Sequence, residues 1–248
     1  MRKFTLFFVL SIWVTAGIAQ DQIQTQEPIP VKRKTVIKYL PVNYFFESTS
    51  FEIERMVNSK NSITLGFGIP TNQSINGKYT DATPEIKDDK FGTMHIRAAY
   101  RHYAGKKSLP RGFYIEPYLK YQKVDYSAKG DFTDLDNVTY QAAISAKFNT
   151  ANIGFQMGVQ FLVLKRISLD WYFLGVEGGL LNGDITTKVN SNINIDDMKI
   201  EVDKFIEDLP PFLSNKLTAT KTTSGVDVNA RSIPLPWLRT GFSIGIAF

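Results

Sequence analysis

Few side chains in this 248-residue chain combine the types and spacing that catalysis needs, and those few are poorly placed for it. His95 and His102 are seven residues apart, which on an extended strand puts them on opposite faces, so they neither share a metal ion nor act as a pair. A lone inward imidazole at position 95 is expected to end as a hydrogen-bonded interior group. Gly105-Lys106-Lys107-Ser108 has the basic ending of a phosphate loop but lacks its upstream glycine and its strand-to-helix setting. Asp131, Asp134 and Asp136 miss the spacing of a calcium loop. The chain has no cysteine, which removes disulfides and thiolate ligands. No catalytic, metal-ligating or cofactor-binding residue is expected.

Eight charged residues do form a pattern: Glu52, Glu54, Glu116 and Glu177 against Arg97, Arg101, Lys120 and Arg239. Each falls on the polar side of a segment that alternates with the two-residue period of a β-strand. Four acids and four bases on inward faces predict a buried network in which the charges neutralise one another.

The elements that must position them are strands. The cleanest alternation closes the chain, with Leu238, Thr240, Phe242, Ile244, Ile246 and Phe248 on one face and Arg239, Gly241, Ser243, Gly245 and Ala247 on the other. Ile153, Phe155, Met157, Val159, Phe161 and Val163 form a second apolar face opposite Gly154, Gln156, Gly158 and Gln160. Strands are expected near 36–46, 49–57, 62–70, 93–103, 113–126, 151–163, 167–180 and 236–248. Short basic turns at 58–61, 104–112 and 164–166 then fall on the side of both termini. The long segments 71–92, 127–138 and 181–232 fall on the other. Apolar outside, charged inside and loops sorted by length are the pattern of a bacterial outer-membrane barrel. Eight strands leave a lumen just wide enough for side chains to fill.

The reading is therefore all-β: an eight-stranded antiparallel transmembrane β-barrel over residues 35–248, with Ile244 near mid-bilayer. Segments 139–147 and 222–231 also alternate, the first out of phase with 151–163. They make either ten strands or rim extensions, with a bulge near Asn149 absorbing the phase change. Met198, Val202, Phe205 and Leu209 step by four, three and four, predicting a helix near 196–209 with one apolar stripe inside the last extracellular loop. That helix is either a lid on the outer mouth or a docking surface for another outer-membrane protein through residues 181–232.

The chain begins Met1-Arg2-Lys3, runs apolar to Ala16 and reaches Gly17-Ile18-Ala19, the form of an export signal over 1–19, followed by a flexible lead-in over 20–34. Taking Arg2 and Lys3 from the 29 basic residues leaves 27 against 24 acidic, a net charge of +3 that argues for no nucleic-acid partner. The bases that crowd the short turns suit anionic lipid heads at the periplasmic leaflet.

Phe51-Glu52-Ile53-Glu54-Arg55, Gly112-Phe113-Tyr114-Ile115-Glu116-Pro117-Tyr118 and the ending Leu238 to Phe248 resemble small outer-membrane β-barrel proteins of Bacteroidota, a family known only as a domain of unknown function. The resemblance covers most of the chain after residue 19 and implies the fold and the outer membrane, without carrying over catalytic residues. Phe242, Ile244, Ile246 and the terminal Phe248 resemble the signal that the barrel-assembly machinery reads in its clients. The expected function is non-enzymatic, structural or accessory, in contact with outer-membrane lipid and with a partner through the long loops. The alternative is a lipid A-modifying enzyme, since barrel enzymes of that kind use a histidine near the outer leaflet, as His95 would be.

Overall fold

The computed structural model describes residues 34–46, 48–72, 74, 85–105, 110–133, 139–190 and 195–248, so the proposed export signal lies outside the described residues. The strands are β1 (Thr35–Tyr39), β2 (Ser48–Met56), β3 (Asn61–Pro70), β4 (Glu85–Tyr103), β5 (Gly112–Thr133), β6 (Thr139–Val163), β7 (Ile167–Asn190), β8 (Leu217–Lys221) and β9 (Gly225–Ala247). All pair antiparallel in one sheet, in the order β1-β2-β3-β4-β5-β6-β7-β9-β8. Pairing of β1 with β9, from Val36 opposite Ala247 to Tyr39 opposite Ile244, closes eight of them into a ring. β8 stands outside it, paired only with β9.

The register fixes the size of the ring. Followed from Val36 through Glu54, Thr64, Ala99, Tyr118, Gly154, Glu177 and Trp237, it returns to the line of β1 at the level of residue 46, ten residues further on. Eight strands with that stagger tilt by about 40° and leave a backbone cylinder of about 8 Å radius, room for side chains and little else.

Alternation sorts the side chains by face. Outward stand Ile37, Ile53, Leu65, Ile96, Leu119, Ile153, Leu169 and Phe242, with Ile153 68% and Leu238 75% exposed. Inward stand mostly polar and aromatic groups. A contour of equal height drifts a little over one residue per strand against the register because the strands are tilted. On that reckoning Tyr44, Ile69, Met94, Tyr121, Ile153 and Leu238 mark the upper edge of one apolar belt, and Leu65, Trp171 and Phe242 lie near its middle, with Ile244 a few ångströms below. At the lower edge Phe248 is tied to Thr35 by a pair of backbone hydrogen bonds of 3.3 and 2.8 Å.

Several sequence expectations change. The strand expected over 36–46 stops at Tyr39, and Pro41–Phe46 forms a 3-10 turn, since Pro41 has no N–H to give the ladder. Segments 71–92, 127–138 and 181–232, expected as loops, contain strand: β4 starts at Glu85, β5 runs to Thr133, β7 to Asn190, and β9 starts at Gly225 rather than near 236. The ring has eight strands, and the extra extended segments are extensions of its members plus β8. No bulge interrupts β6 near Asn149, because its pairing with β5 is continuous from Gly112 opposite Gln160 to Thr133 opposite Thr139. What changes there is the environment of each face: Ala142 and Ala146 are buried on the inner side, while Gln141 and Lys147 are exposed on the outer. The bulge sits instead in β7, where Phe173 and Leu174 both point outward.

The wall is uneven. β5, β6, β7 and β9 have 22, 25, 24 and 23 residues, whereas β1, β2 and β3 have 5, 9 and 10, so one side rises well above the other. On the high side, helix α1 (Ile195–Glu207) and the short α2 (Pro211–Ser214) lead into β8. α1 packs against β8 and β9, and Lys221 meets Asp196 at 2.5 Å. Its inner stripe is Met198, Val202, Ile206 and Leu209. Phe205, expected on that stripe, is 64% exposed, and the buried residue is Ile206. Ile206 lies about 40° to one side of Val202 around the helix and Phe205 about 60° to the other, so the packed face is turned toward the Ile206 side of the stripe and leaves Phe205 outside it.

Candidate functional site: the filled lumen and its rim

The lower lumen holds a dense charge cluster. From β1, Lys38 reaches Asp170 and Glu54, both at 2.8 Å, and Glu52 at 3.4 Å. Arg97 and Arg101 on β4 clasp Glu116 on β5 from two sides, Arg97 at 2.5 Å and Arg101 through its Nε. Arg97 also pairs with Glu52, and Arg101 with Asp170 at 2.8 Å. Neutral groups complete the shell: Tyr103 donates to Glu54 at 2.5 Å, Gln156 to Glu116 at 2.8 Å, and Lys38 and Arg101 both donate to Gln160 Oε1. Arg101 lies 3.7 Å from the centre of the Tyr114 ring. Beneath, Met56, Tyr103 and Tyr114 form a buried plug.

Two glycines make these reaches possible. Tyr114 and Tyr118 stand opposite Gly158 and Gly154 in the register, and a Cβ at either glycine would strike the tyrosine ring. Lying flat over β6, Tyr114 donates to Asp170 at 2.7 Å and Tyr118 to Glu177 at 2.8 Å, both on β7.

Nearer the mouth, Lys120 pairs with Glu177 at 2.5 Å. Arg239, expected in the ion-pair network, makes no ion pair among the described residues. It lies between two aromatic faces, 4.8 Å from the centre of Tyr172 and 5.5 Å from that of Tyr118. Sequence reasoning missed Lys38 and Asp170. Asp170 was hidden because it and Glu177 have opposite parity, and only the bulge at Phe173 and Leu174 puts both inside. With them, the inward charges at the level of the belt among the described residues are five bases, Lys38, Arg97, Arg101, Lys120 and Arg239, against five acids, Glu52, Glu54, Glu116, Asp170 and Glu177, and Asp89 is buried on the inner face of β4 above them.

His95 is inward and His102 outward, where its Nδ1 meets Asn61 Oδ1 at 2.7 Å. The His95 ring and the Ser48 hydroxyl share the space over Gly68. Among the described residues no three His, Asp or Glu side chains gather as metal ligands. Asp131 belongs to β5, while Asp134, Asp136 and the Lys106 to Ser108 turn lie outside the described residues. The arrangement can bind and neutralise charge and exclude solvent; a through-path for solutes is blocked by the cluster and the plug.

Comparison of the chain with protein-family models, curated proteins and solved structures finds no match.

Proposed function

We propose that the protein is an outer-membrane β-barrel of a Gram-negative bacterium, exported by its N-terminal signal, with a structural or accessory rather than enzymatic role and a partner contacted through the segments of its high rim. The observation that carries this is the inversion of the fold. A closed ring wears its aliphatic and aromatic residues outside and buries its charges inside, an arrangement that is stable where the surroundings are lipid and every backbone group is paired within the ring. From Ile153 to Val163 the belt spans ten residue steps, about 25 Å of height at the tilt above, which suits a bilayer hydrocarbon core. The resemblance to Bacteroidota barrels supports the same reading, in which the terminal Phe248, paired to β1 at the lower edge, serves the assembly machinery during biogenesis.

A second reading, a lipid A-modifying enzyme acting through His95, is favoured by the approach of His95 to Ser48. Both side chains face the lumen, and the belt separates them from acyl chains. His95→Ala should leave the lipid A profile of the expressing cells unchanged by mass spectrometry; a shifted profile would refute the non-enzymatic reading. Deleting residues 195–214, which removes α1 and α2 and spares the ring, should strip a co-purifying partner from the barrel in native-membrane pull-downs. Retention of every partner would sink the docking role of this segment.

A further inference from the structure

The high side of the wall has a feature that neither a filled lumen nor an apolar belt requires. Above the belt, the outer faces of β4 to β7 and β9 bend around a concavity of about 850 Å³. Its floor is Ala143 and Ser145 of β6, and around it stand Lys90, Lys129, Lys147 and Lys188. The register sets their spacing: Lys129 and Lys188 flank Ala143 from the two neighbouring strands, about 10 Å apart, and Lys90 and Lys147 close the lower side.

Two observations point to a ligand. Asp88 stands directly opposite Lys129 and Asp184 directly opposite Lys147, yet among the described residues none of the four lysines makes an ion pair. On the far wall Asp227 has a carboxylate oxygen that is buried and has no hydrogen-bond partner among the described residues. The volume suits a ligand the size of one or two sugars. Counted along the strands from the upper edge of the belt, the lysines stand roughly 12–26 Å above it. Phospholipid headgroups reach only about 5–8 Å beyond the hydrocarbon.

We propose that this concavity binds the phosphorylated saccharide headgroup of a glycolipid in the surrounding leaflet, with phosphates held between Lys129 and Lys188 and by Lys90 and Lys147, and sugar hydroxyls donating to Asp227. Height selects a long saccharide head over a phospholipid, and the gap between Lys129 and Lys188 selects phosphates on separate sugars over a single phosphate. The site rests on the outer-membrane reading, because only that reading puts a lipid head beside this face.

The test compares the mature protein with its K129Q/K188Q variant, both substitutions lying outside the belt and the lumen. Each is titrated in neutral detergent with lipopolysaccharide carrying phosphorylated core sugars, with the same material after phosphatase, and with phosphatidylglycerol. Loss of two lysines should weaken binding of the phosphorylated lipopolysaccharide about thirtyfold, from roughly fivefold for each charge near an anionic surface, and phosphatase should weaken wild-type binding to a similar degree. Equal affinity of the two proteins overturns the site, as does phosphatidylglycerol binding that matches lipopolysaccharide. Competition by the delipidated saccharide at the affinity of the intact lipid overturns its assignment to a lipid. Flotation of both proteins with plain phosphatidylcholine vesicles separates the two readings: flotation together with equal lipopolysaccharide affinities refutes this site alone, and failure to float refutes the barrel's membrane location.

Discussion

Arg101→Ala is expected to lower the unfolding free energy of the refolded barrel by about 3–5 kcal/mol, the cost of leaving buried charge without its partner. Arg101 is 1% exposed and meets Glu116, Asp170 and Gln160 at once while its guanidinium covers the Tyr114 ring. Its loss leaves Arg97 as the remaining cation paired with Glu116 and Lys38 as the remaining cation paired with Asp170, in a lumen too narrow to admit bulk water. Lys120→Ala, which frees a single carboxylate nearer the mouth, is expected to cost less. Urea unfolding in phosphatidylcholine vesicles, followed by the loss of heat-modifiable migration, reads both variants. Equal costs for the two, or a cost under about 1 kcal/mol for Arg101→Ala, would show that the cluster does not hold the ring together.

Ile244→Arg probes the opposite face. Ile244 is outward and near mid-belt, so in the proposed membrane setting a guanidinium there would sit among acyl chains and is expected to cost about 2–4 kcal/mol, falling toward zero for substitutions at the belt's edges. The neighbouring Ser243 is inward and 3% exposed, and Ser243→Thr should cost much less because it adds one methyl and keeps its hydroxyl. Unfolding free energies measured for the two variants in the same vesicles should differ by more than the measurement error. If they agree, the assignment of faces along β9 is wrong.

The ring was legible where each face has a single character. From Ile153 to Val163 and from Leu238 to Phe248 one side is apolar and the other small or polar, so period, facing and length all follow from the sequence. Above the belt that contrast fades. The outer side of β6 becomes Gln141, Ser145 and Lys147 while the inner side gains Ala142 and Ala146, and polar residues on an outward face read as loop although the ladder continues unbroken. Irregularities of one residue were harder still. An extra residue at Phe173 moves no hydrophobic signal, since Phe173 and Leu174 are both apolar, yet it decides that Asp170 shares the lumen with Glu177. Lys38 was obscured by Pro41, which blurs the first strand, and Ile206 by Phe205, a stronger apolar signal one position off the packed face. Arg239 could be placed inward from its parity. That its neighbours are the Tyr118 and Tyr172 rings rather than a carboxylate depends on which strands the ring brings together.

Of the three tryptophans, Trp13 lies in the segment proposed as the export signal, so the protein without that segment keeps Trp171 and Trp237. Trp171 points outward near mid-belt, and Trp237 lies at the belt's upper edge with inward parity. The most direct test of a lipid-embedded belt is therefore the emission of the mature Trp237→Phe protein refolded into vesicles whose acyl chains carry bromine. A buried belt predicts a blue-shifted Trp171 spectrum strongly quenched by bromine near the chain middle, and emission that bromine leaves unquenched would contradict it.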